Sequence, residues 1–127
     1  MVNERVIRTN RAPRPVGAYS QARIYGNLLF CSGQVGMDPV TGELERGVEA
    51  QAERSLLNIK AILEEGGASM ESVIKCRIYL VNMDDFKRVD SVYSRFFSDK
   101  APPARVAVGV ASLPLGAEVE IEAIASV

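Results

Sequence analysis

Arg105 and the glutamates Glu118, Glu120 and Glu122 are the residues of this chain whose types and spacing could do chemistry. Both stretches read as strands, in which successive side chains point to opposite faces. Arg105, Ala107 and Gly109 then share one face, opposite Val106, Val108 and Val110. Glu118, Glu120 and Glu122 share another, opposite Val119 and Ile121. Pairing the two strands puts an arginine near a carboxylate, with small residues beside it and room for a ligand. A guanidinium grips a carboxylate through two parallel hydrogen bonds, and a nearby glutamate can polarise a water. The same spacing equally describes a surface strand with ordinary ion pairs, which are common and contribute little. Spacing alone leaves both readings open.

The composition narrows the chemistry. The 127 residues contain no histidine, which excludes Ser-His-Asp and Cys-His triads and removes both the commonest zinc ligand and the usual base near neutral pH. Cys31 and Cys76 are far apart and form no CxxC, so neither a disulfide framework nor a zinc deaminase ligand cluster is available, and a reducing compartment fits best. Fifteen basic residues against 16 acidic ones give a net charge of −1 without a basic stripe, which argues against nucleic acid as a partner. Gly33 and Gly36 make no dinucleotide fingerprint and there is no Walker loop. With 47% hydrophobic residues the chain can bury a core, and its length fits one domain spanning residues 1–127. No segment is apolar over a bilayer's thickness and no signal peptide is visible, so the expectation is a soluble cytoplasmic protein without membrane partners.

The elements that must position these residues follow from periodicity. Glu4 to Thr9 is a candidate strand. Ala22 to Tyr25, Gly26-Asn27, then Leu28 to Val35 reads as a hairpin. Ala52, Leu56, Ile59 and Leu63 recur at helical spacing between Val48 and Glu65, and Gly66-Gly67 ends that helix. Val73 to Val81 alternates, with Ile74, Cys76, Ile78 and Leu80 expected inward. A second helix begins near Asp84, with Asn82 or Asp84 as N-cap and Phe86, Val89, Tyr93 and Phe96 on one stripe, read as core rather than a base-stacking platform. Pro102-Pro103 blocks its continuation. Arg105 to Ala111 and Glu118 to Ala125 complete an α+β order, β-β-β-α-β-α-β-β, with both helices on one sheet face. Leu28 to Cys31 and Val106 to Val108 are apolar at consecutive positions, so both faces of those strands want burial. A chain this short has no third layer, and a second copy is the simplest cover, which predicts an obligate homo-oligomer.

Four motifs occur in order: Gly17-Ala18-Tyr19-Ser20-Gln21, Ser32-Gly33-Gln34, Pro103-Ala104-Arg105 and Glu120-Ile121-Glu122-Ala123-Ile124-Ala125. With Gln51-Ala52, Ser55-Leu56 and Asn58-Ile59 in the first helix, the set resembles the signature of the reactive-intermediate deaminase family (RidA, also called YjgF or L-PSP endoribonuclease-like) over nearly the whole chain. The resemblance implies a chorismate-mutase-like fold: a mixed sheet with two helices on one face. It further implies a homotrimer with the other sheet face at its centre and ligand clefts between subunits. The implied activity is hydrolysis of the enamines and imines released by pyridoxal-phosphate enzymes, such as 2-iminobutanoate and 2-iminopropanoate, without metal or organic cofactor.

Residue by residue, Arg105 resembles the arginine that clamps the substrate carboxylate, and Glu120 the acid that positions the attacking water. Tyr19 resembles the cleft-lining tyrosine, and Gly33 the segment that offers backbone groups. Ser32 belongs to the same substrate-binding set, although its hydroxyl has a competing use in bracing the strand. Ala107 also lies in the substrate-binding set. It stands where many relatives have cysteine, which excludes thiol chemistry there but keeps backbone contacts. Ala18 stands where many have proline, and Asp90 where many have asparagine. Cys31 and Cys76 read as buried inert thiols. The expected function is therefore a 2-iminobutanoate/2-iminopropanoate deaminase. The alternatives are a small-carboxylate (2-keto acid) binding protein without turnover and, with least support, an endoribonuclease, which would need a phosphate-tracking basic surface.

Overall fold

The computed structural model describes residues 1–127. Eight main elements follow one another: β1 (Glu4–Ile7), β2 (Ala22–Tyr25), β3 (Leu28–Val35), α1 (Val48–Glu65), β4 (Val73–Leu80), α2 (Phe86–Tyr93), β5 (Ala104–Gly109) and β6 (Val119–Ser126). The β2–β3 hairpin turns on Gly26, at φ 65°. The α1 stripe is fully inward, with Ala52, Leu56, Ile59 and Leu63 buried and Glu53, Lys60 and Glu64 outward. Past its end, Gly67 takes the left-handed conformation, at φ 83°. Gly66 serves a different end: a Cβ there would lie 2.5 Å from Leu29 Cδ1, and the buried leucine would have to shift. Asn82 caps the turn leading into α2 by accepting from the Asp84 N–H at 3.0 Å.

The strands form one mixed sheet in the order β1-β2-β3-β6-β4-β5. β5 therefore does not pair with β6, contrary to the expectation from alternation. A strand–helix–strand crossover lays β5 parallel to β4, as such a long connection permits. β6 inserts antiparallel between β3 and β4. Two side-chain assignments change as well. The β4–β6 register shifts between Val73 and Lys75, so Val73 turns inward and Ile74 outward, at 48% exposure. Glu118 lies just before β6 and turns to α1, where its carboxylate accepts from Gln51 at 3.2 Å, so it does not share a face with Glu120.

Both helices cover one sheet face. Leu56, Ile59 and Ile62 of α1 and Val89 and Tyr93 of α2 join Leu29, Ile78, Ile121 and Ala123 of the sheet in one apolar cluster. Three buried polar residues of α1 anchor the chain near the sheet's upper end. Ser55 donates to the Gln34 carbonyl at 2.6 Å, Asn58 to the Met37 carbonyl at 2.9 Å, and the Gln51 side chain accepts from the Glu118 N–H at 2.8 Å. Gly36 lets α1 come this close, because a Cβ would fall 2.4 Å from Gln51 Cα. The opposite sheet face has no layer over it. It presents Phe30, Val106 and Val108 exposed beside a polar centre in which Tyr79 donates to Glu122 and Arg77 approaches both.

Candidate functional site

Glu120 belongs to the uncovered face, since Val119 and Ile121 on either side are buried under the helices. Its setting is made by β3. Between Cys31 and Gln34 that strand has one more residue than the facing stretch of β6, a bulge that takes Ser32-Gly33 out of regular pairing. The Glu120 carboxylate lies against Gly33, where a Cβ would stand 2.9 Å from its Oε1. Any side chain at this position would push the carboxylate away from the strand. Glu120 is half-buried, and this desolvation, with a smaller contribution from Glu122, pushes its carboxyl above the ordinary range.

A small cleft opens beside it, lined by Arg14, Val16, Tyr19, Gly33, Leu115 and Glu120. Gln21 shapes the loop that supplies Tyr19. Its buried amide donates to the carbonyls of Thr9, Ala12 and Pro13 and accepts from the Thr9 N–H. The Tyr19 hydroxyl accepts from the Val16 N–H at 3.4 Å, and the ring is half-exposed over the cleft. Ser32 donates to the Ser20 carbonyl at 2.6 Å, so its hydroxyl braces this loop against β3. Leu115 completes the wall from a left-handed backbone, φ 61° and ψ 17°, a conformation that costs a non-glycine residue about 1 kcal/mol or more.

Arg105 stands elsewhere. It lies on the edge strand, level with Cys76, on the face that the helices cover. Its guanidinium sits over two aromatic rings of α2, 5.1 Å from the centroid of Phe86 and 5.0 Å from that of Tyr93. Nη1 donates to Asp90 Oδ1 at 2.6 Å. The side chain remains 29% exposed and faces a cleft of about 440 Å³ lined by Asp90, Tyr93, Phe97, Pro103 and Arg105. Ala107, next on this face, is half-buried against the apolar core.

Within the chain the structure brings Tyr19, Gly33 and Glu120 together, with Ser32 bracing them, and keeps Arg105 and Ala107 away from that group. Glu120 and Arg105 lie on opposite sheet faces, in strands separated by β4, and three positions apart along the register. The sequence marks Phe86 and Tyr93 as core and Asp90 as a departure, and none of them as a partner of Arg105. Phe86, Asp90 and Tyr93 do occupy one stripe of α2, at i, i+4 and i+7, and that spacing was the available signal. Cys31 and Cys76 are both buried. Burial is the main reason that the Cys31 thiol is pushed up to about 12 and Cys76 upward as well, so neither supplies a ready thiolate. No three His, Cys, Asp or Glu side chains are grouped to hold a metal ion, and no helix is long and apolar enough to cross a membrane.

Residues 9–127 match the family model described as Endoribonuclease L-PSP. The chain is 43% identical to the 2-iminobutanoate/2-iminopropanoate deaminase of Dermatophagoides farinae, over 98% of this chain and 97% of that one. Among solved structures it is similar to RidA from the Antarctic bacterium Psychrobacter sp. PAMC 21119, with a TM-score of 0.93 and 46% identity over 97% of this chain and 99% of that one. It is also similar to Escherichia coli TdcF with bound serine, with a TM-score of 0.92 and 40% identity over 97% and 98% of the two chains.

Proposed function

The chain belongs to the Endoribonuclease L-PSP (RidA/YjgF) family, and from that premise we propose that it is an imine deaminase, hydrolysing 2-iminobutanoate, 2-iminopropanoate and related 2-imino acids to 2-keto acids and ammonia. The observation that carries the reading is Glu120: a half-buried carboxyl, pushed toward neutrality, lying over a glycine beside an open cleft in a chain without histidine. An acid–base group works best when its pKa approaches the working pH.

In the proposed reaction Arg105 takes the substrate carboxylate in its planar fork. Glu120 accepts a proton from water as the oxygen attacks the imine carbon, and the C=N electron pair moves to nitrogen. The resulting carbinolamine collapses: the nitrogen takes up a proton and leaves as ammonia, and the hydroxyl proton is lost as the C=O bond forms. Tyr19 and the Gly33 segment line the site, and Ala107 contributes backbone contacts only. Activated imines hydrolyse unaided, so about 10²–10⁴-fold from the acid–base group, with orientation by Arg105 in addition, is a sufficient acceleration. No metal or organic cofactor enters this scheme.

The two half-sites of one protomer support a further element of the proposal, a homotrimer. Packing the uncovered sheet faces about a central axis buries Phe30, Val106 and Val108, and clefts between subunits set Arg105 of one chain against Glu120 of another. Similarity to TdcF, whose structure holds serine, favours a second reading, a small-carboxylate binding module without turnover, in which Arg105 is needed and Glu120 is not. Coupling a pyridoxal-phosphate threonine dehydratase to this protein and trapping the imine with semicarbazide separates the two. Faster imine loss with wild type, strongly reduced by both Glu120→Gln and Arg105→Ala, is the expected result. No acceleration by a folded oligomer overturns the deaminase reading.

A further inference from the structure

We propose that Asp90 makes the Arg105 half-site a reader of zwitterions, favouring a ligand with a carboxylate and a protonated nitrogen on the adjacent carbon over a plain carboxylate anion. The inference rests on the reading that Arg105 takes the ligand carboxylate, and adds what its neighbour does.

Arg105 does not wait as a free cation. Asp90 reaches it from α2, and the pair shares one hydrogen bond, Nη1 to Oδ1, at 2.6 Å. The guanidinium has five donors and makes no other hydrogen bond, so Nη2 and Nε are unengaged at the cleft. Both side chains reach solvent, at 29% exposure for Arg105 and 43% for Asp90, so a ligand can approach them together. The Phe86 and Tyr93 rings, 5.1 and 5.0 Å from the guanidinium carbon, hold it beside the cleft.

The pair is close to neutral as a unit. A plain anion that docks on Nη2 and Nε gains attraction from Arg105 and meets repulsion from Asp90 a few ångströms away, and the two largely cancel. A 2-iminium acid, or a 2-amino acid, presents its carboxylate to the guanidinium and its N–H donors to the Asp90 carboxylate. It thereby meets a dipole of the opposite sense. The keto product has lost the nitrogen cation and keeps only the unfavourable half of this comparison. Asp90 thus discriminates substrate from product, and favours the protonated imine, the form more open to attack by water.

Isothermal titration calorimetry of wild type, Asp90→Asn and Arg105→Ala with serine and with pyruvate tests this. Serine is a stable zwitterion and pyruvate an anion of similar size. The proposal expects wild type to bind serine the more tightly, and Asp90→Asn, which keeps an acceptor but removes the charge, to shift the serine-to-pyruvate ratio toward pyruvate by about tenfold or more. A purely structural strut would change both affinities together, and an unchanged ratio in Asp90→Asn overturns the proposal. If Arg105→Ala leaves serine binding intact, the clamp reading itself fails, and the proposal with it. Binding of neither ligand by the folded wild type overturns it as well.

Discussion

The acidic and the basic halves of the candidate site are built by different means. Glu120 is placed by backbone: a bulge in a central strand, a glycine with no room for a Cβ, and a segment before β6 tied to α1 through Gln51 and Glu118. Arg105 is placed by side chains: one ion pair and two rings, on an edge strand with solvent beside it. A base that must meet one water gains from a fixed frame. A clamp that takes its ligand from solvent gains from donors left free beside its partner. Rigidity is thus distributed according to the task each group would perform.

The largest test of this contrast removes each half in turn. Glu120→Gln is expected to lower kcat by about 10²–10⁴-fold with little change in KM. Arg105→Ala is expected to lower kcat/KM by about 10²-fold, mainly through KM. Semicarbazide-trapping kinetics reads both. Co-expressing the two inactive variants sharpens the comparison: if the halves come from different chains of a trimer, random mixing restores about a quarter of the clefts. No recovery in a demonstrably mixed oligomer would place both halves in one chain and break the proposed arrangement.

Gly33→Ala probes the backbone frame alone. The new methyl group must displace the flexible Glu120 carboxylate. The expected outcome is a roughly tenfold loss in kcat with stability changed by less than about 1 kcal/mol, measured by kinetics and chemical denaturation. Wild-type activity in this variant would show that the contact between Gly33 and Glu120 is not what positions the base.

The smallest effect concerns pH. Because burial raises the Glu120 carboxyl in the folded state, the base is lost on acidification at a higher pH than an ordinary glutamate would be. For stability the sign is opposite. Between the unfolded and folded pKa values the native state holds the extra proton, so stability falls as pH rises through that window, and above it the charged group is a net cost. Glu120→Gln should therefore stabilise the fold slightly at pH 7, by less than about 1 kcal/mol for a half-exposed group, with a small rise in Tm, and not at pH 4. Calorimetric scans at the two pH values decide it, and an equal effect at both would remove desolvation as the cause.

Local features were legible before the structure was known. The α1 stripe, the β2–β3 hairpin and the alternation of β6 each depend on neighbours close in sequence, and they appear where periodicity put them. Pairing was not legible. Nothing in the alternation of Arg105 to Gly109 says whether its neighbour is β6 or β4; that depends on how α2 crosses over the sheet. Ile74 pointed the wrong way because one bulge reverses the parity of every residue before it. The candidate site divides in the same manner. The motifs named Arg105, Tyr19, Gly33 and Glu120, and placed none of them relative to another. Asp90 was noticed as a departure, but only the folded chain shows that its charge rests on Arg105.

The sheet order also carries a consequence for how the molecule comes into being. β6 is made after every other strand, yet it lies between β3 and β4. Without it the sheet order divides into two sets of strands, β1-β2-β3 and β4-β5, each with a raw edge facing the gap. Only the arrival of β6 closes that gap, and with it come Ile121 and Ala123 for the core and Glu120 for the cleft. Sheet closure and the appearance of the acidic half-site are therefore one event, and a chain with β6 unpaired would be a ready client for a chaperone.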